Sequence, residues 1–445
     1  MCAWYLNEYW AKASIDNVTL SRRGQIMRIA ENGFLAMLGK DKNFRLILII
    51  ASTLWIYSSL LKLPFMVPNN YSDVGYLWIR DVYQGQHNLQ IPYVQYELEY
   101  PQIIGALILI GQAFSTYAPI VIDQYNTFIV IESVLQFPFM IGTLYNLFRL
   151  CSRLRLNQNR VYLYILSTLS FVVYGFYNWD FVVAYFVTLS ILLYLKKRYD
   201  GSSFTLTLAV LTKFIPGIML PAMLAGLPTW KSRARFFAIA AGSWILVNAP
   251  FAIANFSTWI QLFLGYSGPN HQLQNTWVSM VISTAGLGDI ISGARAGHIL
   301  SFGIIAYLVL RAIASDKTPL EKILLSWYAW YGAIYLFDPQ MFIQLFPIVV
   351  LTPDFNFLTY RIADALNAFI ILFYFIGSSH PELPRYLTDQ LTPFGLINTF
   401  SALRQLIFLG AYFLAFDPKR QERLRNLIFR LSAPMRPPQI SARRH

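Results

Sequence analysis

Apolar runs near the length needed to cross a lipid bilayer recur along this chain from residue 44 to residue 416, and that recurrence limits the fold more than any single motif. A helix of about 20 apolar residues satisfies its own backbone hydrogen bonds, the condition for surviving in hydrocarbon. Of the 445 residues, 56% are hydrophobic and 13% charged, whereas an ordinary soluble domain carries about 25% charged residues. A soluble enzyme, a disordered chain, a collagen and a coiled coil are excluded together. The chain reads as an all-α polytopic membrane protein.

The net charge of +13 resides in short loops between apolar runs and in the C-terminal tail. Basic residues so placed face an anionic cytoplasmic leaflet and do not point to nucleic acid. Cys2 and Cys151 are too few for a disulfide framework, and neither has a neighbour at metal-ligand spacing. Residues 1–43 read as a cytoplasmic amphipathic segment, with Ile26, Ile29, Phe34, Met37 and Leu38 near helical spacing among Arg22, Arg23, Arg28 and Lys40. They lack the charged start, apolar core and cleavage site of a signal peptide.

Placing every Lys/Arg cluster on one side of the membrane yields a topology. Residues 44–62 go out, 63–123 form a long first outer loop, and 124–148 return to Arg149, Arg153, Arg155 and Arg160. Then 161–177 go out and 181–195 come back to Lys196, Lys197 and Arg198. The run 102–118, counted as a crossing, inverts the arginine loop, so it is expected as a re-entrant segment. Residues 204–228 begin and end beside cytoplasmic basic loops yet hold Lys213, Pro216 and Gly217, the pattern of two short helices turning near Lys213. Crossings at 236–254, 297–314, 320–337, 341–352, 362–377 and 395–416 complete roughly 12 transmembrane helices. Both termini are expected in the cytoplasm, with a single transmembrane domain over 44–416 and a basic tail over 417–445.

This arrangement gathers the unusual polar residues on the extracytoplasmic face, where ionisable groups at the membrane edge are candidates for function. The first outer loop holds Ser72-Asp73, Arg80-Asp81, His87 and Glu97-Leu98-Glu99-Tyr100-Pro101. Residues 73–84 read as a helix that Ser72 or Asp73 caps, which leaves Asp73 a choice between capping and acting as a general base. Asn178-Trp179-Asp180, Lys213, Asn270-His271 and Asp338-Pro339-Gln340 follow. Each has a plainer reading: Asp180 as a helix cap, Lys213 as a snorkelling side chain, His271 and Asn270 in a solvated loop, Asp338 holding the Pro339 turn, Glu97 and Glu99 facing water. Phosphate-binding loops, dinucleotide fingerprints, His-Glu-x-x-His, paired Cys-x-x-Cys and Gly-x-Ser-x-Gly are all absent, which argues against a cytosolic nucleotide donor.

Taken in order, Asp73 soon after the first run, Glu99-Tyr100-Pro101, Asn178-Trp179-Asp180, Leu211-Thr212-Lys213 with Pro216, and Pro339-Gln340 with Pro347 resemble the GT-C glycosyltransferases. The likeness is nearest to the polyprenol-phosphate-mannose-dependent mannosyltransferases of family GT87 and covers residues 44 to about 350. It implies a GT-C fold with membrane-parallel helices in the long first loop, an extracytoplasmic active site and a polyprenyl-phosphate sugar donor. It also implies a catalytic aspartate in the first outer loop, carried onto Asp73.

On that basis the expected function is transfer of a hexose, mannose by resemblance, to a glycolipid or glycan acceptor. Asp73 would take the acceptor proton in one inverting displacement, with no nucleophilic carboxylate. Lys213, with Arg80 or His271, is expected at the donor phosphate. Glu97, Glu99, Tyr100, Asn178, Asp180, Asn270, Asp338 and Gln340 are expected at sugar hydroxyls, with Tyr76, Trp78, Tyr100 and Trp179 as stacking surfaces. No cofactor is required and no metal site is expected. The plasma membrane is favoured over the endoplasmic reticulum. The competing class is a transporter or flippase for a lipid-linked or anionic substrate, which would use the broken helix at Lys213 without chemistry.

Overall fold

The structure, a computed structural model, describes residues 34–63, 71–83, 89–117, 123–166, 169–264, 276–285, 291–351, 357–380, 382–388 and 394–417. Most of the amphipathic segment and basic tail, together with His87, Asn270 and His271, lie outside the described residues. Among those described, regular structure is helical, apart from one isolated bridge between Pro92 and Tyr96.

Helix α1 (Phe34–Lys40) leads into α2 (Lys42–Leu60), which Asp41 caps by accepting from the Asn43 and Phe44 amides. Along α2, Phe44, Ile47, Ala51 and Trp55 are buried while Ile49, Ile56 and Tyr57 are exposed. A helix apolar on its outer face as well as its inner one is built to meet lipid. Next come α3 (Asp73–Leu77), a π-helical turn (Trp78–Tyr83), α4 (Gln102–Tyr117) and α5 (Gln124–Arg153). Helices α2 and α5 are antiparallel: the Phe44 ring meets Phe148 at one end, and Trp55 and Ser59 bond Ser133 near the other. That second end, where Leu60 terminates α2, is the site end of the bundle.

Helix α4 starts beside the site-end residue Tyr100 and delivers the chain to Asp123, the site-end cap of α5. Gly111 of α4 lies against Phe128 and Glu132 of α5.

Helices α6 (Asn159–Leu166) and α7 (Leu169–Tyr174) divide what the apolar pattern presents as one run over 161–177. Together they still climb alongside α2: the Tyr162 hydroxyl donates to Asn43 O, and the Phe176 amide donates to Ser58 Oγ. Helix α8 (Asp180–Leu195) descends parallel to α5, with Asn146 on Thr188 and Arg153 on Leu195 O. Helix α9 (Tyr199–Val210), a 3-10 turn (Ile215–Ile218) and α10 (Met219–Ala225) form the expected hairpin, bent at Lys213.

Helix α11 (Trp230–Ala254) rises beside α9, and α12 (Phe256–Leu264) folds back so that Trp259 bonds Asn248. Then α13 (Trp277–Thr284), α14 (Ile291–Ala314) and α15 (Pro319–Ala333) follow, with Thr318 and Glu321 closing a capping box. Helix α15 stops short of the expected residue 337 because Ile334 turns extended. A 3-10 turn (Pro339–Met341) opens the fully buried α16 (Phe342–Val350). The chain closes with α17 (Phe357–Ser379), α18 (Arg385–Thr388) and α19 (Leu396–Leu414). Among the described residues, five stretches are long and apolar enough to cross a membrane: Lys42–Leu60, Gln124–Arg153, Trp230–Ala254, Gly297–Ala314 and Tyr360–Gly377. By length and composition these helices are those of an α-helical membrane protein.

Candidate functional site

Where helices stop at the site end, short irregular segments from distant parts of the chain meet around Asp73. Asp73 is the first residue of α3, and Ser72 caps that helix by accepting from the Gly75 amide at 3.1 Å. Capping therefore does not employ the Asp73 carboxylate. Its Oδ2 instead accepts from Asn178 Nδ2 at 2.6 Å and from Gln340 Nε2 at 2.9 Å, and the Tyr71 hydroxyl bonds the same carboxyl.

Asn178 is aimed by its own neighbours. Its Oδ1 accepts from the Trp179 backbone at 2.6 Å, so its amide nitrogen faces Asp73 and the Tyr100 hydroxyl, the latter at 2.9 Å. Tyr100 is fixed in turn by the Tyr93 hydroxyl, which donates to Tyr100 O at 2.6 Å. Tyr93 has a left-handed φ of 65° and its ring fills the space left by Gly105, where any Cβ would collide with it.

Asp73, Tyr71, Tyr100 and Gln340 line a cavity of about 250 Å³. Its polar lining comprises the carboxyls of Asp73, Glu99 and Asp338, the Gln340 amide and five tyrosines, Tyr71, Tyr76, Tyr100, Tyr177 and Tyr374. Leu77, Ile370, Ile371 and Ile397 supply apolar wall. No Lys, Arg or His is among the described lining residues. Burial, followed by the nearby Asp338 carboxylate, pushes the Asp73 pKa up to about 7, against the opposing pull of Lys213 and the Asn178 hydrogen bond. A carboxyl poised there changes protonation near neutrality, the range in which a general base works.

Several expected roles move. Lys213 does not line the cavity: its Nζ sits 2.7 Å from Asp180 Oδ1, both side chains buried, and Gln344 donates to the same oxygen. The ammonium that the sequence offers to a donor phosphate is thus held by a carboxylate, which also removes Asp180 from the sugar-facing set. Asp180 does not cap α8 either, since no side-chain bond closes that end. Asp338 opens its 3-10 turn without a side-chain cap and faces the cavity. Arg80 pairs with Glu99 at 3.2 Å, with about a third of each side chain exposed. Glu97 is exposed and lies off the lining. Trp78 packs edge-on against Tyr125, and Trp179 is fully buried with its indole N–H on Glu132 at 2.9 Å, so neither offers a face to a ligand. The expected helix over 73–84 is α-helical only to Leu77 and continues as a π turn.

Tyr71, Tyr177 and Tyr374, the isoleucine wall, Glu132 and Arg404 were outside the expected set. Glu132 and Arg404 carry a readable signal, each being a charge inside an apolar run. Lys62 belongs with them: it donates to Tyr71 O at 3.3 Å and lies 4.8 Å over the Tyr177 ring, beside two lining residues. Among the described residues no group of three or more His, Cys, Asp or Glu is arranged to hold a metal ion. No protein-family model matches the chain, and no curated protein shows significant similarity to it.

Proposed function

We propose that the protein is a GT-C-type glycosyltransferase of roughly twelve membrane crossings with its site on the extracytoplasmic face. In this reading it moves a hexose from a polyprenyl-phosphate donor to a glycolipid or glycan acceptor. The observation that carries it is the convergence of Asp73, Tyr100 and Gln340 on one tyrosine-lined cavity, with buried Asn178 from a fourth segment bonding Asp73 and Tyr100, around a carboxyl titrating near 7. Tyrosine faces and hydroxyls with carboxylate acceptors suit a polyhydroxyl ring, offering stacking and hydrogen bonds together.

The chemistry is one displacement. Asp73 takes the proton of an acceptor hydroxyl as its oxygen forms the new bond to the anomeric carbon, while the bond from that carbon to the lipid phosphate oxygen breaks and the phosphate leaves as the anion. Asn178 and Gln340, donating to Oδ2, stabilise the carboxylate form. The leaving phosphate is met by Arg80 and Lys62, the cations beside the lining, with Lys213 in a supporting role through Asp180. The lipid chain lies in the membrane alongside the bundle.

The test supplies purified protein in liposomes with radiolabelled polyprenyl phosphate mannose and a lipid acceptor extract, wild type beside Asp73→Asn. Transfer by wild type, lost at least about a hundredfold in the variant, is the expected result. Equal transfer by both removes Asp73 from the chemistry. Binding of the lipid phosphate with no transfer by either puts a transporter or flippase in place of a transferase.

A further inference from the structure

The two C-terminal helices α17 and α19 do more than complete the membrane domain. Arg404 of α19 is fully buried, and its guanidinium bonds two oxygens and lies against a ring. One terminal nitrogen donates to Phe337 O at 2.6 Å, another to the Asn367 side-chain oxygen on α17, and the guanidinium lies 3.6 Å from the Phe337 ring centre. Asn367 turns its amide nitrogen to Pro339 O and Ser170 Oγ, each at 2.9 Å, and Ser170 closes on Asp364 at 2.6 Å. The two carbonyls on either side of Asp338, Phe337 O and Pro339 O, are thereby fixed by one planar fork and one amide. The next side chain along is Gln340, which donates to Asp73.

We infer that Arg404, acting with Asn367, is a positioning residue for the site: it sets the Phe337-to-Gln340 turn so that the Gln340 amide reaches the Asp73 carboxylate. A guanidinium suits this task because its rigid fork addresses two acceptors at once, whereas an ammonium addresses them as a point charge. Burying such a cation is costly, and a purely apolar α19 would pack the helix pair without it. The inference relies on the proposed transfer only for the meaning of Asp73, not for its measurement.

The measurement is Asp73 modification by dicyclohexylcarbodiimide, which reacts with a protonated carboxyl, followed against pH by mass spectrometry in detergent-purified full-length protein without substrate. Asp73 is faced by Asp338, Lys213, Asp180, Lys62, Tyr71, Tyr174, Tyr177 and Tyr374, all retained in every variant. Removing the Gln340 donor, as Gln340→Leu, raises the labelling midpoint by about one pH unit, since a donor to the charged form is lost. Arg404→Lys keeps the charge and raises the midpoint likewise. Combined with Gln340→Leu it adds nothing further, but combined with Asn178→Ala it adds fully. Asn367→Ser, which loosens the same turn with the guanidinium retained, gives the same shift and serves if Arg404→Lys does not fold. A well-folded Arg404→Lys or Asn367→Ser with the wild-type midpoint, or a shift that adds to that of Gln340→Leu, overturns the inference. Failure of sugar transfer by wild type leaves these labelling results standing and strikes only the proposed function.

Discussion

Removing the Lys213 ammonium tests the most consequential difference between the sequence pattern and the folded site. Lys213 and Asp180 sit 2.7 Å apart at 8% and 1% side-chain exposure, and the second Asp180 oxygen has no hydrogen-bond partner. Lys213→Met therefore strands a buried carboxylate with Gln344 as its main donor, and Asp180→Leu strands a buried ammonium beside the Tyr100 ring. Breaking a buried pair from one side costs about 3–5 kcal/mol, while replacing both partners with apolar groups of similar volume is often neutral or stabilising. The double variant Lys213→Met/Asp180→Leu is expected within about 1–2 kcal/mol of wild type, giving a coupling energy of at least about 3 kcal/mol. Reversible unfolding in mixed micelles, titrated with sodium dodecyl sulfate, measures all four proteins. Costs that simply add, or a Lys213→Met protein as stable as wild type, refute the structural role. Binding of polyprenyl phosphate to the double variant then separates the two assignments of Lys213. Retained binding leaves the ion pair a scaffold, and loss from a stable protein returns the lysine to the phosphate.

Three further outcomes follow from the same geometry. Transfer activity should rise with pH through an acid limb centred near 7, because Asp73 acts as a base only in its deprotonated form and its pKa is held at about 7; a limb near 4 in kcat/KM would mean that another group titrates. Ser72→Ala removes the α3 cap and should cost about 1 kcal/mol of stability in the micelle titration, while Asp73→Asn, which cuts no cap, should leave stability closer to wild type. Gly111→Ala places a Cβ 2.9 Å from both Glu132 Oε1 and the Phe128 ring, so α4 and α5 must separate, at a cost of about 1–3 kcal/mol seen in the same assay.

Much of this was legible in the chain. The apolar runs located the long helices, since a run that must satisfy its backbone in hydrocarbon has few alternatives. Pro216 with Lys213 marked the bend between α9 and α10. Asp73, Tyr100, Asn178 and Gln340 were read as candidates and are brought together. What periodicity does not carry is pairing between segments. Lys213 and Asp180 are 33 residues apart, and nothing local reveals that each answers the other. Tyr177 and Tyr374 are two among 28 tyrosines, and membrane proteins also place tyrosine at their interfaces, so neither stands out. The resemblance ends near residue 350, so it offered no reason to weigh Ile370, Tyr374 and Ile397, although the cavity is not closed without them.

The polar residues buried at the site end divide by what they bond, and that division separates scaffold from chemistry. A chain that breaks its helices within a membrane bundle leaves carbonyls and amides that no water satisfies, so irregular backbone persists only where protein supplies partners. Here Arg404 and Asn367 answer Phe337 O and Pro339 O, Gln405 answers Ile334 O, Thr276 answers Tyr335 O, and the Ile103 amide answers Leu211 O. These groups are committed to backbone, and substituting them should register first as lost stability. Asp73, by contrast, begins a helix whose cap is already supplied by Ser72, and its carboxyl bonds the side chains of Asn178, Gln340 and Tyr71. Such a carboxyl is expensive to keep partly buried and contributes nothing to backbone satisfaction. Its removal should therefore cost little stability and most of the activity, whereas removing Arg404 costs stability first and reaches the chemistry only through the turn it holds, and that difference is what makes Asp73 the centre of the site.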